Sequence, residues 1–468
     1  MPEPSAPSRA VTAAQVWPPY QPSSAQPWNL RRVVHLHRRA GFAATWSELQ
    51  RDLAEGPKAS IDRLLSGRAY RDGVPTDFES TSALLAESAT AARDPNRLKA
   101  WWLYRMFFGP DPLGERLALL WHNHFATSNL KVEDLTLMLG QNALFRELAK
   151  APFGKLLNRV VRDPALLIWL DASANRKEHP NENLARELME LFTLGIGHYS
   201  ERDVKEAARA LTGWTLSEEG IFRDVSARHD AGEKTVLGQT GHWKGDDLIK
   251  RLLEHPATAE RLAWRLCQMF MGEGVAGGDE IKTLAVGLRQ HDLDIGWAVE
   301  TVLRSQAFFA GRNLGNHIPG PVEFVVGAAR ALELFDSPPS TLLMADWSAR
   351  LGQDLFCPPN VGGWAGGRSW ITTQAMIGRA NYAAALLNGT LCRSPEPCAV
   401  LGLAERHGHS GSLERCLRFY GDLLLGTELS PGLRQRINSA LAGESRDLAA
   451  AVQAAVTLIL ASPEYQLA

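Results

Sequence analysis

"EHPNENLARELMELFTLGIGHYSERDVKEAARALTGWT", residues 178–215, is the stretch whose reading decides the fold. At 100° per residue, Leu184, Leu188 and Leu191 share one helical face with Phe192 at its edge. Asn183, Arg186, Glu187 and Glu190 fall on another face. Asn181, after Pro180, is an N-cap residue type, Glu182 suits the positive end of the helix dipole, and Gly195 and Gly197 stop the helix. Ser200 with Asp203 three residues on predicts a near capping box for a second helix. That helix sets Asp203, Glu206 and Arg209 against Ala207, Ala208, Ala210 and Leu211.

The same grammar runs outward in both directions. "TWSELQRDLAEG" and "PKASIDRLLSG" repeat apolar residues at i, i+3 and i+4 and end on glycine, and "DPNRLKAWWLYRMFFG" and "DPLGERLALLWHNHFATS" begin on aspartate. Alternating patterns are scarce, so the expectation is an all-α, multi-helix assembly with at most one short β-hairpin, in "TVLGQTGHW". Two long Gly/Pro/Trp/His-rich loops interrupt it, 215–245 and 352–374, and loops of that length on a helical scaffold are where binding chemistry concentrates. Three parts are expected: a flexible Pro/Ser/Ala-rich arm over 1–28, with Trp17 and Trp28 docking on the body; a main helical domain over 29–390; and a C-terminal helical subdomain over 391–468.

Composition narrows the function. Fifty basic against fifty-two acidic residues, interspersed to a net charge of −2, give no basic stripe for nucleic acid. No apolar run reaches the roughly 18–20 residues of a membrane span. The arm lacks the basic and apolar regions of a signal peptide, which predicts a cytoplasmic protein. Five scattered cysteines without a CxxC pair disfavour a thiolate zinc site or a disulfide framework, although Cys392 and Cys398 could pair across a Pro-containing loop.

Two readings of the polar stripe stand. In one, Arg186, Glu190 and their neighbours form ion pairs that brace helix faces. In the other, Glu187 and Glu190, one turn apart, present carboxylates to a metal or a substrate proton, as facing helices do in bundle sites. His124 follows Leu117, Leu120 and Trp121 at helical spacing and points inward, with His122 on a different face; His35 and His37 read as a polar stripe on an early helix. The first long loop adds His229, Asp230 and Lys234, of which Lys234 suits a phosphate or carboxylate.

Together "RRAGF", "LLWHNHFATS", the block from Asn181 to Thr215, "HDAGEKTVLG", "FCPPNVGGWAGGRSW" and "LILASPEYQ" resemble the domain of unknown function 1800 family, a mostly bacterial family. The resemblance carries no defined activity. It implies a setting in which many relatives are exported and neighbour a sulfatase-like protein partner, whereas this chain shows no export signal.

The resulting expectation is an enzyme with a polar pocket acting on a small or anionic substrate. Glu187, Glu190, His124 and His229 are the acid/base candidates. Asn181, Asn183, Arg186, Lys234, Trp214 and Trp364 are the substrate contacts. A divalent metal, if held, would take His124, Glu187, Glu190, His229 and Asp230. The alternative is a non-catalytic accessory or scaffold protein whose loops bind a protein partner.

Overall fold

The computed structural model describes residues 16–392, 397–442 and 447–468. Among the described residues there are twenty-two α-helices, and the protein is 59 % helical, so the all-α expectation is met. The strands form two antiparallel pairs: β1 (Trp214–Leu216) with β2 (Phe222–Asp224), and β3 (Lys234–Val236) with β4 (Gln239–Gly241). The second pair is the hairpin anticipated in "TVLGQTGHW". The first was not read, because Ser217 to Ile221 carries a weak turn signal.

Local chemistry accounts for many of the helix boundaries. Ser200 and Asp203 complete the capping box of helix Glu201–Ala210, and Thr45 and Glu48 complete another at the start of Trp46–Leu65. That second helix is two segments in line, broken at Gly56, whose φ of +88° precedes Pro57. The 181–194 segment departs from a regular helix: α-helical turns span Asn183–Glu187 and a π-helical stretch spans Leu188–Thr193. Asn181 serves the first turn by accepting from the Asn183 amide at 3.0 Å.

One apolar core runs from Trp17 to Tyr465. Trp17 donates its indole N–H to the Glu280 carbonyl and Trp28 to that of Asp52, so the arm is tied to the body from residue 16 onward. Residues 1–15 lie outside the described residues. Helix Leu448–Ala461 packs on Thr373–Leu387 and Leu413–Leu425, and the latter packs on Leu30–Ala40. No helix among the described residues is long and apolar enough to cross a membrane.

The reading of His35 and His37 as a polar stripe needs correction. His35 and His37 are buried, against the Phe308 carbonyl and the Asp52 carboxylate, rather than forming a surface stripe. His122 is buried as deeply as His124 and accepts from the Phe356 amide at 3.2 Å. A helix enclosed on several sides buries faces that a single-stripe reading assigns to solvent.

Candidate functional site

The residues expected to form one site lie in separate places. Along 181–201, Arg186 donates to Glu182 and, through both terminal nitrogens, to Glu201 on the next helix, at 2.7–3.0 Å. Asn183 is exposed. Glu190 accepts from the Tyr199 hydroxyl at 2.5 Å. Glu187 is half-buried; burial, with the Glu190 charge adding to it, pushes its carboxyl up to about 7.

The first long loop forms a second cluster. Asp230 is clamped by Arg209 at 2.7 and 3.2 Å, Lys234 donates to the carbonyls of Asp230 and Gly232, and His229 Nδ1 lies 3.0 Å from the Thr212 carbonyl. These contacts fasten the loop to helix 201–210. Trp214 is buried beneath the Arg162 guanidinium.

His124 sits in the core with Nε2 3.1 Å from the Phe192 carbonyl, and burial, with Arg265 and Arg261 nearby, holds it well below the ordinary imidazole range. Among the described residues, no group of three or more His, Cys, Asp or Glu side chains is arranged to hold a metal ion. The five suggested ligands therefore do not form a coordination set.

The cleft with the richest chemistry lies elsewhere, and of the expected residues only Trp364 reaches it. It encloses about 290 Å³ between helices Pro112–His124, Pro256–Met271 and Pro321–Ala331 and the second long loop. Arg116, His317 and Glu323 are among its lining residues, with Arg265 and Gln268 contributed by the 256–271 helix and Trp364, Arg368 and Trp370 by the loop.

Asn123 fixes that loop to the scaffold. Its Oδ1 accepts from the Trp364 amide at 2.7 Å and its Nδ2 donates to the Trp364 carbonyl at 3.3 Å. Gly363 makes this approach possible: φ is +75°, and a Cβ there would stand 2.1 Å from Asn123 Oδ1.

Around the cleft Arg116, Arg265 and Arg368 stand against the carboxylates of Glu273 and Glu323. Glu323 pairs with Arg116 and lies 3.2 Å from His317 Nε2. Burial alone would raise the Glu323 carboxyl, but Arg116 and His317 bring it down to about 2. Burial, reinforced by Arg39, lowers His317 to about 4, so it is neutral near pH 7. Arg39 and Arg379 both feel the Glu323 charge, so one carboxylate stands among three guanidiniums.

Arg265 is a fourth guanidinium. Among the described residues it has no carboxylate within salt-bridge distance. Its Nε is buried without a partner, and burial with Arg261 nearby lowers it to about 10. Glu323 stands within the apolar run "IPGPVEFVV" and Arg116 within "ERLALLW"; an ionisable group inside such a run was the signal available to sequence reading.

Residues 35–467 match the family model described as "Protein of unknown function (DUF1800)". The chain belongs to the DUF1800 family. No curated protein and no solved structure matches it. In this DUF1800 chain the Asn181–Thr215 block supplies much of the bracing, and the "FCPPNVGGWAGGRSW" loop supplies a cleft wall.

Proposed function

We propose that this protein is an enzyme that binds a small organic anion in the 290 Å³ cleft and acts on it by proton transfer. The observation that carries the reading is Arg265, a half-buried guanidinium whose Nε is buried without a partner and which has no carboxylate within salt-bridge distance among the described residues. A carboxylate or phosphate presented through the cleft would match its planar donors. In this reading Arg368 closes on the same group from the loop and Trp364 and Trp370 form an apolar wall. His317, held by Glu323, is the neutral base that exchanges a proton with the substrate.

The test uses tryptophan fluorescence of the full chain, because Trp264, Trp364 and Trp370 all line the cleft. Titration with phosphate, sulfate, succinate and citrate is expected to give a saturable response to at least one of them. Arg265→Gln should weaken that binding by roughly 10- to 100-fold, the worth of charge-assisted hydrogen bonds, while leaving the melting temperature unchanged or higher. A wild-type protein blind to every anion, or a variant that binds equally well, rejects the reading. Incubation with a metabolite extract then separates enzyme from binding protein: wild type should consume an anionic metabolite that Arg265→Gln leaves intact.

A non-catalytic accessory role is the second reading. It draws support from Arg186, which spends its donors joining Glu182 and Glu201 across two helices.

A further inference from the structure

Away from the cleft, Cys392 and Cys398 place their sulfurs 3.9 Å apart. Their backbones are pinned to the end of helix 373–387: the Cys392 amide donates to the Gly389 carbonyl at 3.0 Å and the Cys398 amide to that of Leu387 at 2.9 Å. The Cys392 side is held again where the Ser340 amide donates to the Leu391 carbonyl at 2.6 Å. The conformational entropy of bringing the two thiols together is therefore already lost in the fold. Both residues line a hollow of about 220 Å³, with Glu333, Asp336 and Arg406 at its edge. The other three cysteines are set apart: Cys267 and Cys416 are buried, and Cys357, half-buried, has its thiol pushed up to about 11 by burial.

We propose that Cys392 and Cys398 form a dithiol site that reduces small-molecule disulfides of the glutathione class entering this hollow. The two sulfurs have different roles. Cys398 Sγ lies 2.9 Å from the Leu386 carbonyl oxygen, which accepts its proton and would repel a thiolate there. Cys392 is then the sulfur that ionises first and attacks. The Cys392 thiolate displaces one thiolate from the bound disulfide and forms a mixed disulfide. Cys398 loses its proton, attacks Cys392 Sγ and expels the second thiolate. Two protein thiols are oxidised to one disulfide, one small disulfide is reduced to two thiols, and the two protons pass to the leaving thiolates. The sulfurs have to close from 3.9 Å to roughly 2.05 Å, within reach of side-chain rotation.

The full chain, fully reduced, is equilibrated in glutathione buffers of rising oxidised fraction, acid-quenched, alkylated and mapped by mass spectrometry. Two of the five thiols should disappear together, in a single peptide pair linking Cys392 to Cys398, with two glutathione thiols appearing per protein oxidised. Cys398→Ser should trap glutathione on Cys392, whereas Cys392→Ser should capture at least tenfold less. The anion titration of the cleft serves as the fold control, since neither cysteine lines it. The proposal fails if the native chain shows no Cys392–Cys398 link at tenfold excess of oxidised glutathione. It also fails if the link forms only in denaturant, or if the two serine variants trap glutathione equally.

Discussion

Glu187 shows how far a residue's chemistry follows from its surroundings. Sequence spacing marked it with Glu190, but spacing does not say how much water each keeps. Glu187 binds its proton more tightly folded than unfolded, because its carboxyl rises to about 7. Between its ordinary value and 7 the native state holds the extra proton, so stability falls as pH rises through that window. Glu187→Gln removes the dependence. Denaturant unfolding at pH 5 and pH 8 should show the variant gaining on the order of 1–2 kcal/mol over wild type at the higher pH. Equal shifts at both pH values would place the Glu187 carboxyl in water. At this scale Glu323 offered only the signal of an ionisable group inside an apolar run, and Arg265 and His317 offered none, since the cleft is made by the approach of chain segments far apart in sequence.

Among the elements, the second long loop depends on one glycine. Gly363 holds a left-handed φ of +75° and leaves room for the Asn123 side chain that grips Trp364. Gly363→Ala adds a methyl where Asn123 already stands. We expect a loss on the order of 2–3 kcal/mol, combining strain with a broken clamp. The response of the cleft tryptophans to anions should weaken in parallel. A variant with wild-type melting temperature and binding would show the loop to be held by something other than this clamp. The first long loop was also expected to carry ligand contacts, yet Arg209 and Lys234 bind loop atoms and His229 lies against the Thr212 carbonyl just before the loop. Nothing in "HDAGEKTVLG" alone tells a ligand-binding cluster from a self-binding one, because the same donors satisfy either partner.

Across the whole molecule, buried histidines set the acid limit. His35 and His124 are held well below the ordinary imidazole range by burial, His122 falls to about 3 and His317 to about 4. Each stays neutral in the fold and takes up a proton on unfolding below its ordinary value. Stability present above about pH 6.5 is then lost as pH falls, at about 5 kcal/mol per unit near pH 5 if all four contribute. At lower pH, Glu323 at about 2 removes more stability as the unfolded chain, but not the native one, takes up its proton. Denaturant midpoints at pH 7, 6 and 5 should drop with increasing steepness. A flat profile over that range would mean the imidazoles are solvated.

Helix content, the Ser200–Asp203 capping box, the break at Gly56 and the hairpin in "TVLGQTGHW" were all determined by the sequence, because each depends on residues within a few positions of one another. The division of polar residues into braces and cleft was decided only by the tertiary structure. Arg186 became a tie because Glu201 folded back beside it. Arg265 became a solitary charge because no carboxylate from elsewhere in the described chain reached it. Hydrogen bonding and desolvation act over a few ångströms in space, and sequence separation does not measure that distance.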